Sequence, residues 1–570
     1  MYSIKMPDGN YLEGEFNLSF ELNNQVFSSG DSSTLAGSFS FPTDVDLTPV
    51  NRVLLGHPDQ VNNAKSWQTF PGTWIEVYNV PLFYGTLQIK KASALKASIT
   101  VIAAPLFDVR EMQLHELDYG DPIEVANWKV LMYDTANIPE QYDYCFFPIF
   151  NPDHNDYPDT DHDYEKRSWQ NYFNVGSTEY DLQSGAITPF LKLKRLLQLG
   201  FQKAGWGIAN DWQTNIELSR IYLYHNFDAR ELNGNFPSST PELPAFLTLK
   251  NHVPRIPFRE LLRKTMAHFC LGLFVNPFSQ KVSLVPVQTI IRRATRIDWT
   301  EYLDGDLQLD ESSNPIKAYN YPQPFDISPA IPKPHNAVQI KTVTDLNLAI
   351  SAQPDNTTVW YYTEDGHALI RIVKSGGGFV YDPYIQNQGV YPHGDNNEVF
   401  DTGVETFRSL FGATTFGHYQ AYNKTSHWNA DNERVMEDSP FVFLMYRGIQ
   451  NDSNGLAPIA SNHVWMPSGS AGARVQITAD GASLGDAEYS LNWFGEFGLY
   501  NKFHSLWNEM LNKNKPVSAK LSLPVKVLTE FTMDQKVRIG SMDYFVKRLR
   551  IGKALGNGLL LVEASLVSTI

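Results

Sequence analysis

Two distant stretches of the chain spell nearly the same pair of β-strands: Ile75-Glu76-Val77 … Phe83 … Leu87-Gln88-Ile89-Lys90-Lys91-Ala92 and Val537-Arg538-Ile539 … Phe545 … Leu549-Arg550-Ile551-Gly552-Lys553-Ala554. The two stretches keep a constant spacing of 462 residues without a gap. A one-residue slip would turn every apolar side chain to the opposite face of its sheet, so an ungapped match indicates one strand–turn–strand unit used twice. The alternative is a chance resemblance, because alternating aliphatic residues are common.

The composition indicates a large globular protein rich in β-structure. The chain has 570 residues, of which 42% are hydrophobic, 13% aromatic and 19% charged. This is enough apolar material for several cores, and we expect about three or four domains. The 28 tyrosines, 34 phenylalanines, 37 glycines and 34 prolines favour many short strands joined by irregular loops.

The charge and the cysteines exclude several classes of protein. A net charge of −16 argues against a protein whose main task is binding nucleic acid, because phosphates are bound by clustered Lys and Arg. Cys145 and Cys270 are far apart and form no CxxC motif, so neither a disulfide framework nor a zinc site is indicated. No window approaches the roughly 20 apolar residues that span a bilayer, and we expect a soluble product folded in a reducing cytoplasm.

The first 185 residues predict a β-domain followed by an insertion. Phe16, Leu18, Phe20 and Leu22 alternate with polar residues, which is typical of a half-buried strand. With the strands that follow, up to Ala103, they predict a first small β-barrel over residues 1–110. Residues 111–185 lose this periodicity and are rich in Asp, Tyr, Asn and Pro, which indicates a surface insertion.

Residues 186–296 predict an α+β domain of helices and a hairpin. Thr188 is a candidate N-cap with Pro189 at the first helical position, and a second helix is predicted to open at Pro257. Two apolar runs, 272–276 and 281–287, flank a short polar turn and predict a hairpin.

The remaining residues predict a second barrel that is interrupted by a large insertion. Val338, Ile340 and Val343 place its start within residues 297–350, and the irregular residues 351–490 form the insertion. Residues 491–570 then supply a helix and the closing strands. The predicted fold class is therefore a β-rich, multidomain α+β protein, in which two similar small β-barrels flank a helix-and-hairpin domain with two surface insertions.

Three patterns in this order of parts resemble a known family. They are the Pro257–Leu262 helix with its hairpin at 269–286, the run Gly498-Leu499-Tyr500 … Trp507 followed by strands at 519–546, and the duplicated barrel. Together they cover about half of the chain, and the chain resembles the baseplate-hub or tail-associated proteins of long-tailed bacteriophages. The C-terminal run is similar to segments of tail proteins from phages of Bacteroidetes hosts.

The resemblance implies a structural virion protein at the phage tail tip or baseplate, assembled in the host cytoplasm. In the family, two barrels per subunit let a trimer present six similar barrels to a sixfold tail tube. The expected partners are therefore copies of the same chain, with a trimer favoured over a hexamer, the tail tube or a distal tail protein, and tail-tip, spike or fibre proteins. DNA would only pass through, repelled by acidic residues facing the lumen.

One acidic loop contains the only candidate metal ligands. Asp159, Asp161 and Asp163 alternate in an oxygen-rich stretch, the type of ligand that a hard divalent cation takes. The stretch lacks the glycine and the terminal glutamate of a calcium loop, and a solvated acidic loop is the favoured interpretation.

No catalytic motif assembles from the sequence. His418, His427, Asp431 and Glu433 lack zinc-hydrolase spacing, Gly376-Gly377-Gly378 indicates a tight turn, and GxSxG is absent. His268 follows the apolar face of a helix and is expected to be a partnered core residue. We therefore expect no enzymatic activity and no cofactor.

The large insertion leaves a second class of function open. Its aromatic residues are suited to stacking on sugars of a host surface glycan or to anchoring neighbouring chains, and they are Trp360, Tyr361, Tyr362, Tyr381, Tyr384, Tyr391, Tyr419, Tyr422 and Trp428. The alternatives to a structural hub are therefore a receptor- or glycan-binding tail-tip protein acting through 351–490 and, third, a tail-borne cell-wall hydrolase.

Overall fold

The computed structural model describes residues 2–24, 38–60, 69–103, 112–150, 169–174, 176–183, 185–209, 212–225, 227–230, 243–276, 279–295, 297–309, 338–340, 348, 351–363, 369–375, 378–384, 404–405, 409–412, 415–419, 426–428, 434–436, 441–452, 455–460, 464, 475–479, 482–491, 493, 496–513 and 515–569.

The N-terminal part consists of antiparallel strands and one short helix. The strands are β1 (Tyr2–Lys5), β2 (Phe20–Asn23), β3 (Phe39–Ser40), β4 (Thr43–Asp46), β5 (Thr69–Val77), β6 (Val80–Ala92) and β7 (Lys96–Ala103). Helix α1 (Pro49–Leu54) lies between β4 and β5. The Thr48 hydroxyl oxygen accepts a hydrogen bond from the Asn51 N–H at 3.1 Å, which satisfies a free backbone donor and fixes where the helix begins.

The middle part alternates short strands and helices. The strands are β8 (Ile123–Glu124), β9 (Tyr144–Cys145), β10 (Ile149–Phe150), β11 (Trp169–Gln170), β12 (Phe173–Asn174), β13 (Glu179–Tyr180), β14 (Phe190–Lys192), β15 (Gly207–Ala209), β16 (Ile221–Leu223), β17 (Phe246–Leu247), β18 (Leu271–Asn276), β19 (Lys281–Pro286), β20 (Ile297–Asp298) and β21 (Gln308–Leu309). The helices are α2 (Trp128–Asn137), α3 (Leu193–Lys203), α4 (Ile216–Ser219), α5 (Phe258–His268) and α6 (Val287–Arg292).

The rest of the chain carries strands almost throughout. The strands up to residue 486 are β22 (Val338–Ile340), β23 (Thr357–Thr363), β24 (Leu369–Ser375), β25 (Gly378–Tyr384), β26 (Val404–Glu405), β27 (Ser409–Gly412), β28 (Thr415–Tyr419), β29 (Ser426–Trp428), β30 (Arg434–Met436), β31 (Phe441–Asp452), β32 (Gly455–Ala460), β33 (Gln476–Ala479) and β34 (Ala482–Asp486). The C-terminal elements are a π-helical turn (Tyr500–His504), α7 (Ser505–Lys513), β35 (Pro516–Pro524), α8 (Val525–Glu530), β36 (Lys536–Ile539), β37 (Met542–Gly556) and β38 (Leu559–Ser568).

The two ends of the chain meet in one sheet. Thirteen of the described strands form it, in the order β1-β5-β6-β7-β3-β2-β37-β38-β35-β21, with β4 paired to β7, β36 to β37 and β20 to β36. Within the described residues this sheet does not close into a barrel. The structure thus confirms a β-rich protein, and β2 and β3 join its two ends into one continuous sheet. The two similar small β-barrels stay a prediction.

The apolar side chains explain why the two ends do not stay separate. Ile75, Leu87 and Ile89 of the N-terminal strands are buried in the same cluster as Val537, Leu549 and Ile551 of the C-terminal strands. One shared core removes more apolar surface from water than two small cores of the same composition.

The middle part has its own core, and its first helix begins later than the sequence predicts. Phe190–Lys192 forms strand β14, which pairs with β9 and β16, so α3 starts at Leu193. Thr188 is not the N-cap, because the helix begins at Leu193 with Lys192 in the capping position, and the Thr188 N–H donates instead to the Asn171 side-chain oxygen at 2.8 Å. Tertiary pairing therefore overrides the local helix-start pattern.

The second predicted helix and the hairpin are confirmed. Helix α5 begins directly after Pro257 and buries its apolar face, and β18 and β19 pair antiparallel after it. The proline has no N–H that a helix start would leave unpaired, which is why the sequence predicts this boundary correctly.

The insertion carries strands that the sequence assigned elsewhere. Val338 and Ile340 are expected in the second barrel, but their strand β22 pairs with β23 in a four-stranded sheet with β24 and β25. Strands β20 and β21, which also lie within 297–350, do pair with β36 and β35 of the large sheet. The domain boundaries at 110, 185, 296, 350 and 490 stay predictions. None of the described helices has the length and apolar composition that crossing a membrane requires.

The contact between α3 and α5 gives a test of the middle core. A methyl group on Gly200 of α3 would lie 2.1 Å from the Phe258 ring of α5. We expect Gly200→Ala to lower the free energy of unfolding by about 1–3 kcal/mol, although alanine is the better helix former, because the ring has to move. Urea unfolding measures this. Gln202→Ala, an exposed change on the same helix, should stay within about 0.5 kcal/mol of the parent; a stabilised Gly200→Ala protein would contradict the packing.

Candidate functional site: the repeated unit

The duplicated sequence belongs to a longer repeated unit of four strands and one helix. The N-terminal unit is β4-α1-β5-β6-β7 and the C-terminal unit is β35-α8-β36-β37-β38. In each unit the first strand pairs antiparallel with the last, β4 with β7 and β35 with β38. The three later strands form two successive hairpins in both units. The same order and the same pairing in both places support a duplication of the whole unit.

The two units also agree in their hairpin geometry. In the first hairpin, Val77 pairs with Val80 and Ile539 pairs with Met542, each across a turn of two residues. In the second hairpin, the register shifts directly after Ile89 and directly after its counterpart Ile551. Such bulges bend a strand at a defined place, so both copies bend at the same point.

A backbone hydrogen bond holds the helix of each unit against its second hairpin. The Leu47 N–H, just before α1, donates to the Leu95 carbonyl at 2.7 Å. The Val525 N–H, at the start of α8, donates to the Gly558 carbonyl at 2.9 Å.

Phe83 and Phe545 match in the sequence but do not occupy equivalent positions in the structure. Phe83 pairs with Ile75 and lies in the shared core, whereas the counterpart of Ile75, Val537, pairs with Tyr544. Phe545 instead packs into the core of the middle part. The pairing of β5 with β6 has a bulge after Ile75, and the pairing of β37 with β38 has a bulge after Val546. Because β6 and β37 each contain one such bulge, Leu87 and Leu549 again occupy equivalent positions.

Strand β2 joins the two units edge to edge. Phe20 and Leu22 of β2 pair with Ile551 and Leu549 of β37, while β3 connects β2 to β7 of the N-terminal unit. The two units are thus held in a fixed relative orientation by main-chain hydrogen bonds.

Side chains reinforce this junction. The buried Asn24 amide donates to the Met533 carbonyl at 2.9 Å and to the Val546 carbonyl at 3.0 Å. The Tyr2 hydroxyl donates to the Gly552 carbonyl. These bonds add side-chain donors from the N-terminal part to backbone carbonyls of the C-terminal part.

The predicted metal ligands cannot be compared with the structure. Asp159, Asp161 and Asp163 lie outside the described residues, and a metal there stays a hypothesis. In the part of the chain that is described, no group of three His, Cys, Asp or Glu side chains is placed to hold a metal ion.

Most of the insertion's polar and aromatic candidates also stay predictions. His418 and His427 lie on strands β28 and β29, whereas Asp431 and Glu433 lie outside the described residues. Trp360, Tyr361 and Tyr362 lie on β23, and the structure gives no description of their side chains. Gly376 and Gly377 lie outside the described residues.

His268 is confirmed as a core residue and belongs to a buried pair. Nε2 of His504 lies 3.0 Å from the His268 carbonyl oxygen, so the neutral His504 ring donates there. Burial lowers the pKa of His268 to about 3, with a further contribution from His504, and burial lowers the pKa of His504 to about 4. The aromatic ring of Trp493 packs against both histidines. The pair joins α5 to the π-helical turn before α7.

The structure contains a buried ionic network that no sequence pattern predicts. Arg447 on β31 pairs with Glu217 on α4, and Glu217 also accepts a hydrogen bond from the Glu488 N–H at 2.9 Å. Arg220 donates to Glu140 at 2.7 Å and to the Thr478 carbonyl at 2.5 Å. The partners are distant in sequence, so no local sequence pattern indicates that they pair. They connect Arg447, Thr478 and Glu488 to the middle part.

Both cysteines are buried thiols. Burial raises the pKa of Cys145 and of Cys270 well above the usual range, so both stay protonated at neutral pH. A protonated thiol is neither a nucleophile nor a metal ligand, and the two cysteines act as small core residues.

Comparison with known proteins gives no family for the chain. No family model matches it, and no curated protein sequence matches it. Among solved structures, the chain aligns with the 43 kDa tail protein of prophage MuSo2 from Shewanella oneidensis. The alignment covers 99% of this chain and 97% of the other, with 6% identity and a TM-score of 0.31, values too low to establish a shared fold.

Asn24 provides a test of the junction. We expect Asn24→Ala to weaken the pairing of β2 with β37 by about 2–4 kcal/mol, because two buried carbonyls lose their donor. Hydrogen exchange of the amides in residues 548–551 measures the effect. The control is Asn17→Ala, which removes an exposed asparagine and should leave this exchange unchanged. Equal exchange in both variants would show that the junction does not depend on Asn24.

The histidine pair gives a test against pH. Both pKa values are lower in the folded than in the unfolded chain, so the unfolded chain binds more protons as the pH falls below about 6.5. Stability contributed by the neutral rings is complete above that pH and is lost as the pH falls towards about 4 and then about 3. In this window, protonation of each histidine should lower the free energy of unfolding by about 1.4 kcal/mol per pH unit.

Thermal unfolding between pH 7 and pH 4.5 measures this loss, with His504→Gln as the variant and Gln202→Ala, an exposed change that removes no titrating group, as the control. His504→Gln should flatten the pH dependence, and Gln202→Ala should leave it unchanged. An unaltered slope in His504→Gln would mean that other groups cause the acid sensitivity.

Proposed function

We propose that the chain is a structural subunit of a phage-type tail, a hub that closes into a homo-oligomeric ring at the end of the tail tube and carries tail-tip components. The virion, at the tail tip or baseplate, is then its place of action. The single observation that carries the proposal is the repeated unit: one chain holds two copies of the same β-module, fixed in one sheet.

A fixed pair of similar modules is useful to a protein that forms a ring. A ring of n copies presents 2n similar modules around its axis, which allows contact with a partner ring of twice the symmetry. The proposal takes n as three, following the resemblance of the sequence to tail hubs. The two predicted barrels correspond to these two modules in the proposal.

The rigidity of the junction supports such a role. Symmetric contacts require that the two modules keep one relative orientation, and β2 provides this through its main-chain pairing with β37 and through the side-chain amide of Asn24. A chain whose modules were joined by a flexible linker would present them at variable angles.

The proposal is non-enzymatic. Its support is that the nucleophilic and basic groups in the middle core, Cys145, Cys270 and His268, are buried and held in neutral forms by that burial. DNA passage would be transient, through the centre of the ring. A host cell-wall zymogram of the purified protein should accordingly show no clearing.

Mass photometry and negative-stain imaging of the purified chain test the proposal. We expect a closed oligomer of three copies, and class averages with six similar lobes around one axis. A protein that stays monomeric at the highest soluble concentration, or a zymogram with cleared zones, would contradict the proposed function.

A further inference from the structure

A row of four charged side chains crosses the junction between the two ends of the chain. Glu21 of β2 lies opposite Arg550 of β37, and Arg550 lies opposite Glu563 of β38. Glu563 in turn lies opposite Lys520 of β35. Lys520 is exposed and Glu21 is half-buried. Neighbouring strands are about 4.8 Å apart, so this charged row extends over about 14 Å, and its signs alternate from one strand to the next.

The charged row lies on the face of the sheet that points away from the shared core. Side chains alternate between the two faces of a strand, and Leu549 and Ile551, on either side of Arg550, are buried in the shared core. The side chains of Arg550 and Glu563, at the centre of the row, are 52% and 55% exposed. The row is therefore accessible to another molecule.

The repeated unit does not need these charges in order to fold. Arg550 corresponds to Gln88 at the constant spacing of 462 residues, and Gln88 lies opposite Thr100 as Arg550 lies opposite Glu563. The N-terminal unit thus forms the same hairpin with two neutral residues at this position. The charges belong to the C-terminal unit alone, which indicates a role beyond the fold of the unit.

An aromatic ring helps to hold Arg550 in place. Its guanidinium carbon lies 4.9 Å from the centre of the Phe41 ring, which is a cation–π contact, and its Nη1 lies 3.8 Å from Glu563 Oε2. These two contacts restrict the side chain while it stays exposed to solvent. A charge that is already positioned loses less conformational entropy when it binds a partner.

The order of the signs makes the charged row complementary to itself. A second copy can be rotated by half a turn about an axis that runs parallel to the strands, between β37 and β38. Its charged row then faces the first row in reverse order. Glu21 faces Lys520 of the second copy, and Arg550 faces Glu563 of the second copy. Each of the four charges therefore meets the opposite sign.

The neighbouring row of side chains adds polar groups without like charges. Arg548 of β37 lies opposite Asn23 of β2 and Ser565 of β38, and Ser565 lies opposite Ser518 of β35. The same rotation places Arg548 against Ser565 of the second copy, and Asn23 against Ser518 of the second copy. Hydroxyl oxygens accept hydrogen bonds from guanidinium and amide groups, so this row fits the same contact.

We infer that this face forms a twofold contact between two copies of the chain, with the charged row of one copy against the charged row of the other. The contact is isologous, because the same surface lies on both sides. A cyclic ring of three copies has no twofold axis, so the contact joins two rings or two free chains. The inference thus goes beyond the proposed ring and does not depend on it. Complementary charges set the register of such a contact more than its strength, so the pair is weak and sensitive to salt.

An exchange of charges between two variants tests the contact. In a pair of identical copies, Arg550→Glu makes two pairs of carboxylates face each other, and Glu563→Arg makes two pairs of guanidinium groups face each other. Neither variant alone should form the twofold pair. A mixture of the two variants has opposite signs at all four positions, so the mixture should form the pair again.

Sedimentation velocity measures the outcome. At about 0.1 M salt the Debye length is about 10 Å, which screens the long-range repulsion between chains of net charge −16. Under this condition, the parent protein and the equimolar mixture should each have twice the mass of either variant alone. At about 1 M salt, where the Debye length is about 3 Å, the parent protein should lose the doubled mass.

Lys513→Glu is the matched control, because it makes the same change of charge at an exposed residue of α7. Lys513→Glu alone should keep the doubled mass of the parent protein. When it is mixed with an equal amount of Glu563→Arg, the Glu563→Arg half of the protein should stay at the single mass.

The ends of the charged row give a second pair of variants. Arg550→Glu places a carboxylate between Glu21 and Glu563 of the same sheet, so its melting temperature is measured to show that it folds. If it does not fold, Glu21→Lys and Lys520→Glu replace the first pair. Each of these has two like pairs when it is alone and none in the mixture.

Restoration of the doubled mass in the mixture supports the inference. A parent protein with the same mass as a folded single variant, or a mixture that sediments like its separate components, would overturn it. The ring is tested separately by the mass of the single variants, because three copies support the ring and one copy contradicts it.

Discussion

The pairing of β2 with β37 is the constraint on which the rest of the structure depends. It brings residues 20–23 against residues 548–551 and so closes a loop of more than 500 residues through main-chain hydrogen bonds. Closing so long a loop costs entropy, which the shared core around Leu87 and Leu549 offsets by removing both units from water together. The middle part thus lies in a stretch of chain whose two ends are held in one sheet. The orientation of the units follows from this one strand.

The sequence predicted local structure better than it predicted connections. The turn between Val77 and Val80, its counterpart at Ile539, the α5 start at Pro257 and the hairpin after it all follow from patterns within a few residues. The union of two predicted barrels into one sheet does not, because nothing near Phe20 tells which distant strand it pairs with. Only the three-dimensional packing decides between β37 and a separate partner.

For the candidate site, too, the sequence predicts the local pattern but not the long-range contacts. The duplication was visible in the spacing of apolar residues, and the structure extends it to a helix and a fourth strand that the sequence did not reveal. The identity of Phe83 and Phe545 was misleading, since two bulges put these rings in different cores. Helix α1 was missed because six residues are too few to display a helical period.

The duplicated unit connects the fold to the proposed function, because one chain holds two similar β-modules in one sheet. A cryo-EM reconstruction of the assembled oligomer tests this claim most directly. The account predicts a ring in which N-terminal and C-terminal units lie at the same radius and alternate around the axis. A reconstruction with the two units at different radii, or with like units in contact within one ring, would contradict it.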